Sequence, residues 1–426
     1  MKPFAAIAEQ VSRNPGFLAF LLARFAGMFA MQILAVVVAW QVYDETRDPM
    51  ALAYVGLAQF LPMLALLMPA GDLIDRRARK PILAGSWVAA MLCALALWWL
   101  SGGDLAARGG ITGIYVVLFC FGCSRAFSGP AVQSLLPQIV PREHLAQAIA
   151  TNGMLMRTAS VGGPLAGGFL YAAGGPHLTY VVCAAGFALG ALCLVWVQTP
   201  YAAPRAEDSD TSIWQRFGVG IRFIFRRPVI LGSISLDLFA VLLGGVVAML
   251  PIYAKEILHT GADGLGMLRS AIAIGEVGAG VFLSVRPFNR SVGRILFFAV
   301  VVFGLANLTF AFSSLFWVSF VALAVAGAAD MVSVYIRSAL IQFSTPDDMR
   351  GRVSAVNMLF VGSSNELGEF RAGVSAAWFG PFAAAVLGGM CTLGIVAVWR
   401  YGFSPLYRVS RFEDAEEIPT RQPPAA

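Results

Sequence analysis

Apolar residues in this chain fall in long unbroken runs separated by short polar loops. Stretches such as Ile33 to Trp40 and Val116 to Cys120 are apolar on every side of any element they form. A membrane β-strand alternates every second residue, so these runs predict helices with hydrocarbon around them. At roughly 20 residues per crossing, the runs predict twelve spans: 17–43, 49–70, 82–101, 111–135, 149–173, 176–197, 229–251, 266–286, 294–313, 316–340, 352–373 and 375–399. The eleventh is the most polar. It contains Asn357, Asn365, Glu366 and Glu369, with Arg371 near its end. The third stops at a turn, Ser101-Gly102-Gly103-Asp104.

Composition supports the same solvent. Of 426 residues 58% are hydrophobic and 13% charged, and mean hydropathy is +0.74. Soluble domains carry about 25% charged residues. A soluble α/β enzyme would need short buried strands divided by charged helices, and that pattern is absent. The segment with Lys2, Glu9, Gln10, Arg13 and Asn14 is too polar for the apolar part of a cleaved signal, and is expected to lie along the membrane surface.

The basic residues orient the spans. With both termini inside, twenty-one Lys and Arg fall on inner segments. The outer segments hold four: Arg47, Arg108, Lys255 and Arg371. The net charge of +6 thus reads as membrane asymmetry, not as a nucleic-acid surface. The six cysteines sit in largely apolar runs and the three histidines are far apart, so no metal site or cofactor is expected. No Walker loop, zinc-protease motif or serine elbow occurs in its required context, which argues against an enzyme and against ATP-driven pumping within the chain.

A longer inner connection divides the chain. Residues 1–197 are expected to form a six-helix bundle, 198–228 a cytoplasmic linker, 229–399 a second six-helix bundle and 400–426 a cytoplasmic tail. The linker holds an acidic run, Glu207-Asp208-Ser209-Asp210, then an amphipathic stretch from Trp214 to Phe225 expected at the inner leaflet. The halves echo each other. Pro141, Ala150 and Asn152 precede or begin span five at the spacing with which Pro346, Ala355 and Asn357 meet span eleven. Such echoes suit two repeats of one bundle.

The loop after span two reads Gly71-Asp72-Leu73-Ile74-Asp75-Arg76-Arg77-Ala78-Arg79-Lys80. It resembles the loop motif Gly-x-x-x-Asp-Arg-x-Gly-Arg-Arg/Lys of the major facilitator superfamily at Gly71, Asp75, Arg76, Arg79 and Lys80, with Ala78 in place of the usual glycine. Span four carries Arg125-Ala126-Phe127-Ser128-Gly129, similar to the family's Arg-x-x-x-Gly element, whose arginine is linked to proton coupling. Span five carries Gly163-Pro164-Leu165-Ala166-Gly167-Gly168, similar to the Gly-Pro-x-x-Gly-Gly element of drug/proton antiporters. The stretch from Arg350-Gly351-Arg352-Val353 to Arg371-Ala372-Gly373 resembles the siderophore-exporting branch that includes the enterobactin exporter.

The resemblance implies an all-α membrane protein with the major facilitator fold, in a bacterial inner membrane. It implies export of a small organic substrate by alternating access, with protons as coupling ion and lipids around the bundles. A siderophore or similar polar or anionic metabolite is the expected substrate, with handover to periplasmic or outer-membrane components. Broad drug efflux and a non-transporting scaffold are the alternatives.

Charged groups inside spans need a cavity, a partner or the interface, because a charge at mid-bilayer costs several kcal/mol. Arg125, Asp237, Glu276, Asp330 and Glu366 are the candidates for proton coupling or the cavity; Asp330 roughly mirrors Arg125 in the other half. Gln32, Arg24, Arg157, Arg269 and Asn357 are candidates for substrate contact. Arg24 and Arg337 could instead snorkel inward. Gly71, Asp75, Arg76, Arg79 and Lys80 are expected to gate the inner side, Asp75 by capping a neighbouring helix and pairing with basic groups. Gly163, Pro164, Gly167 and Gly168 are expected to seal a tight helix crossing against proton leak.

Overall fold

The computed structural model describes residues 15–102, 110–199 and 213–414. The polar N-terminal segment, Asp104, the acidic run of the linker and the last part of the tail lie outside the described residues. Helices α1 (Pro15–Thr46), α2 (Pro49–Arg76), α3 (Arg79–Ser101) and α4 (Gly110–Ile139) come first, followed by α5 (Leu145–Cys193) and the linker helix α6 (Ile213–Arg226). Then come α7 (Pro228–Gly244), α8 (Ala262–Val285), α9 (Val292–Phe312), α10 (Phe316–Phe343), α11 (Asp347–Phe379), α12 (Pro381–Gly402) and the short α13 (Ser404–Arg408).

Proline starts several of these helices, at Pro15, Pro49, Pro228 and Pro381, where its missing N–H costs nothing. Glycine breaks them. Gly175, at φ 64° and ψ −165°, interrupts α5 just before Pro176, dividing it at the boundary predicted between spans five and six. No residue with a Cβ takes that conformation without strain. Gly380, at φ 82°, separates α11 from α12.

Among the described residues, ten helices are long and apolar enough to cross a membrane, one of them the divided α5. The 33-residue α11 is not among the ten. Its polar residues are those that make span eleven the weakest in the sequence.

The chain divides into two compact units. One comprises Met1–Thr46, Leu57–Ser209 and Thr260–Ser270. Within it α1 lies along α5, while α3 packs on α4 and α5. A core of Phe17, Phe20, Leu83, Trp87, Leu135 and Ile139 joins these helices. The other comprises Arg47–Gly56, Asp210–His259 and Ala271–Ala426. There α7 packs on α11 and α12, while α9 packs on α10 and α12. The neighbours of α7 and α9 thus repeat those of α1 and α3, the pseudo-symmetry that the sequence echoes suggest.

The linker helix differs in one respect from its sequence expectation. Its apolar stripe does not wait for lipid: Ile224 is buried with Ile230, Ile234, Val353 and Val356, and Ile221 packs beside them. Gly220 lies against the Arg352 backbone. Val219, Arg222, Phe225 and Arg226 form the exposed face.

The tail is also tied down where it is described. The N–H groups of Val292 and Gly293 at the start of α9 donate to the carbonyls of Ser410 and Val409. Phe412 stacks on Phe343 at 5.8 Å.

Candidate functional site

The second unit holds an ionic group in its core. Arg337 of α10 pairs with Asp237 of α7. Both are buried, at 3% and 6% exposure. Arg337 therefore does not snorkel to the interface, contrary to the sequence expectation. The geometry explains why. Side chains lean toward a helix's N-terminus, and Arg337 lies six residues before the end of α10. Its lean carries the guanidinium deeper, toward an acid nine residues into α7. A small cavity adjoins the pair, lined by Asp237 of α7, Phe303 of α9, and Asp330 and Ser333 of α10. Of the predicted coupling residues, the structure thus brings Asp237 and Asp330 to one cavity. Glu276 lies on α8, and Glu366 lies on α11, where both are half-buried.

Helix α7 breaks after Gly244, and its freed carbonyls are satisfied from neighbouring helices. Arg371 of α11 donates to Leu242 O at 3.1 Å and Gly245 O at 3.2 Å. Asn307 of α9 donates to Gly244 O at 3.1 Å. Irregular backbone at membrane depth requires such partners. Sequence reading missed this role of Arg371, placing it in an outer segment; the Gly244-Gly245 pair was the available signal for a break. Asn357 on α11 is half-buried, and its side-chain oxygen has no hydrogen-bond partner among the described residues. The same holds for Asn152 at the repeat-related position of α5.

In the first unit Arg125 of α4 donates to Gln59 Oε1 of α2 at 3.4 Å. One turn earlier Gly122 lies against the Gln59 carbonyl and Pro62, so α2 and α4 cross closely here. Arg24 and Gln32 on α1 and Arg157 on α5 are half-buried. The glycine element of α5 faces two neighbours. A Cβ on Gly163 would lie 2.5 Å from that of Gln32, and one on Gly167 3.1 Å from the Ile33 Cα. On Gly168 it would lie 2.5 Å from the Ala262 carbonyl oxygen. Gly266 meets the Pro164 carbonyl at the same separation. Ser270 donates to Val161 O at 2.8 Å across this crossing. Segment Thr260–Ser270, which carries the candidate Arg269, thus packs inside the first unit, although it belongs to the second half of the chain. The second unit has a counterpart: Gly373 of α11 packs on Ala53 of α2, where a Cβ would lie 2.8 Å away.

The basic loop is a set of helix caps. Arg79 donates to Ser134 O at 2.8 Å, near the end of α4. Lys80 donates to Val195 O at 3.0 Å and Val197 O at 2.8 Å, beyond α5. Cations suit these carbonyl-rich ends. Arg76 pairs with Asp72 at 2.9 Å. Gly71 and Asp75 belong to the last turns of α2, and the Asp75 side chain lies outside what is described.

The sequence profile of the Major Facilitator Superfamily matches residues 20–368. The enterobactin exporter EntS of Citrobacter koseri is 26% identical over 421 residues, covering 96% of each chain. That of Salmonella choleraesuis is 27% identical over 415 residues, covering 95% of each. A crystal structure of a bacterial homologue of the iron transporter ferroportin, in an inward-facing state, superposes with a TM-score of 0.67. It is 18% identical and covers 90% of this chain and 99% of the other, a likeness that shows the fold alone.

Proposed function

This chain belongs to the major facilitator superfamily, and on that premise we propose that it is a proton-coupled exporter of a siderophore or similar polar, anionic metabolite. The family makes it a multi-pass membrane transporter of small organic molecules working by alternating access, not an enzyme. The observation that carries the finer reading is the end-to-end likeness to exporters named for enterobactin. The half-buried Arg24, Arg125 and Arg157 support it, because an anionic substrate needs positive groups within the membrane.

In this reading the chain crosses the membrane twelve times. The divided α5 supplies two crossings, and α11 supplies one despite its polarity, with its polar face turned to protein and cavity. Both termini lie in the cytoplasm, and the bundles are 1–197 and 229–399. Arg125, Asp237, Glu276, Asp330 and Glu366 serve proton coupling. Gln32, Arg24, Arg157, Arg269 and Asn357 serve the substrate. The Gly71–Lys80 loop serves the inner gate. The crossings at Gly168 with Gly266 and at Ala53 with Gly373 serve the opposite gate. They must separate when the cavity opens outward, and small residues allow backbones to meet and part without locking.

A secretion profile tests the substrate. The medium of a strain lacking the protein should lose its siderophore, and restoring the gene should return it. Unchanged siderophore combined with increased sensitivity to several unrelated drugs would instead establish broad efflux.

A further inference from the structure

Charge in the spans of the first unit is one-sided. The six spans predicted within 1–197 contain Arg24, Arg125 and Arg157 and no Asp or Glu. Arg125 reaches Gln59, and Arg157 is likewise engaged. Arg24 differs: it is half-buried, yet makes no hydrogen bond or ion pair among the described residues. A guanidinium at that depth keeps its demand for a counter-charge, and none of the six spans supplies one.

Its neighbours say what kind of anion fits. Arg24, Phe25, Met28, Phe29 and Gln32 are half-buried and follow the spacing i, i+1, i+4, i+5 and i+8, which lines one side of a helix over about 12 Å. Ala23, Ala26, Gly27 and Ala30, on the other side, are packed into the unit. Phe25 and Phe29 stack with ring centroids 5.4 Å apart and planes 26° apart. Against them α5 offers only backbone, because a Cβ on Gly162 would lie 3.3 Å from Phe29 Cε2. Gly163 meets Gln32 and Gly167 meets Ile33, so α1 and α5 run in parallel here. Arg157, five residues before Gly162, therefore comes level with Arg24, five residues before Phe29. That end of the face is doubly positive. At the other end the Gln32 amide makes no hydrogen bond among the described residues.

We propose that this face of α1 is a subsite for an aromatic acid. It deepens the substrate reading above and rests on it for the claim that the ligand is transported. The carboxylate or phenolate pairs with Arg24, a charge-assisted contact that gains strength away from bulk water. The ring extends the Phe25–Phe29 stack. Gln32 donates to, or accepts from, a polar group beyond the ring. An aliphatic anion satisfies the guanidinium but leaves the phenylalanines uncovered. A neutral ring covers the phenylalanines but leaves Arg24 without a counter-ion.

Equilibrium dialysis of the detergent-purified protein against three labelled probes tests this. They are 2-naphthoate, its saturated analogue decahydro-2-naphthoate, and the uncharged 2-naphthamide. Wild type should bind 2-naphthoate at least tenfold more tightly than either comparator. Arg24→Gln should weaken 2-naphthoate about tenfold and leave 2-naphthamide unchanged, while Arg24→Lys should restore most of the binding. The double variant Phe25→Leu, Phe29→Leu should bind the aromatic and the saturated acid alike. Equal binding of the three probes by wild type, or no binding of 2-naphthoate, would overturn the assignment. So would an undiminished preference for 2-naphthoate in folded Arg24→Gln. Should Arg24→Gln not fold, an undiminished preference for the aromatic over the saturated acid in the double variant would do so.

The secretion profile separates this inference from the reading it rests on. If secretion of siderophore does not need the protein but the three probes bind in the expected order, the siderophore reading fails and the subsite stands. If secretion needs the protein and the probes bind alike, the subsite alone fails.

Discussion

Alanine at Gly168 or at Gly266 is expected to reduce export by roughly tenfold or more, with normal amounts of protein in the membrane. A Cβ on Gly168 would stand 2.5 Å from the Ala262 carbonyl oxygen and 3.0 Å from the Gly266 Cα, and one on Gly266 2.5 Å from the Pro164 carbonyl oxygen. These are backbone atoms, so no rotamer change relieves the clash; α5 and the start of α8 must move apart. Forced methyl groups in close-packed contacts cost about 1–3 kcal/mol. If the crossing is a gate, that cost falls on one conformational state and shifts the balance between states by about one to two powers of ten. Gly85→Ala and Gly153→Ala are the controls, since nothing lies within 4 Å of a Cβ at either position. Vesicle transport of labelled substrate, normalised to protein amount, makes the comparison. Equal rates in all four variants would reduce the crossing to ordinary packing.

Replacing Arg337 by methionine should be the most damaging single change in the core. It leaves Asp237 buried without its guanidinium, and breaking one side of a buried ion pair costs about 3–5 kcal/mol. The purified variant should melt well below wild type in detergent or fail to accumulate. The double variant Asp237→Leu, Arg337→Met removes both charges, and such replacements are often neutral or stabilising. It should regain thermal stability and still not couple transport to protons. Full coupled transport in the double variant would make the pair a structural tie and nothing more.

The apolar helices were legible because lipid imposes a coarse rule: apolar on all sides. The division of α5 was legible from Gly174-Gly175-Pro176, since few sequences state a break so directly. The weakness of α11 was legible from Asn365, Glu366 and Glu369. The partner of Arg337 was not. Its place near the end of α10 suggests the interface, and only the neighbour relation of α7 and α10 puts an acid within reach. The same limit hid the role of Arg371, whose acceptors are carbonyls freed by a break in another helix. The glycines of α5 were legible as a tight crossing, but not the identity of its second partner, the segment Thr260–Ser270. Hydropathy gives positions along a helix; contacts across helices depend on register, which one sequence does not display.

The most direct test of the whole account is accumulation of labelled enterobactin by everted membrane vesicles containing the protein, with acid inside. Proton-coupled export predicts uptake into these vesicles that exceeds equilibrium, collapses when a protonophore dissipates the gradient, and is absent without the protein. Uptake equal with and without the gradient, or dependent on ATP in gradient-free vesicles, would contradict it.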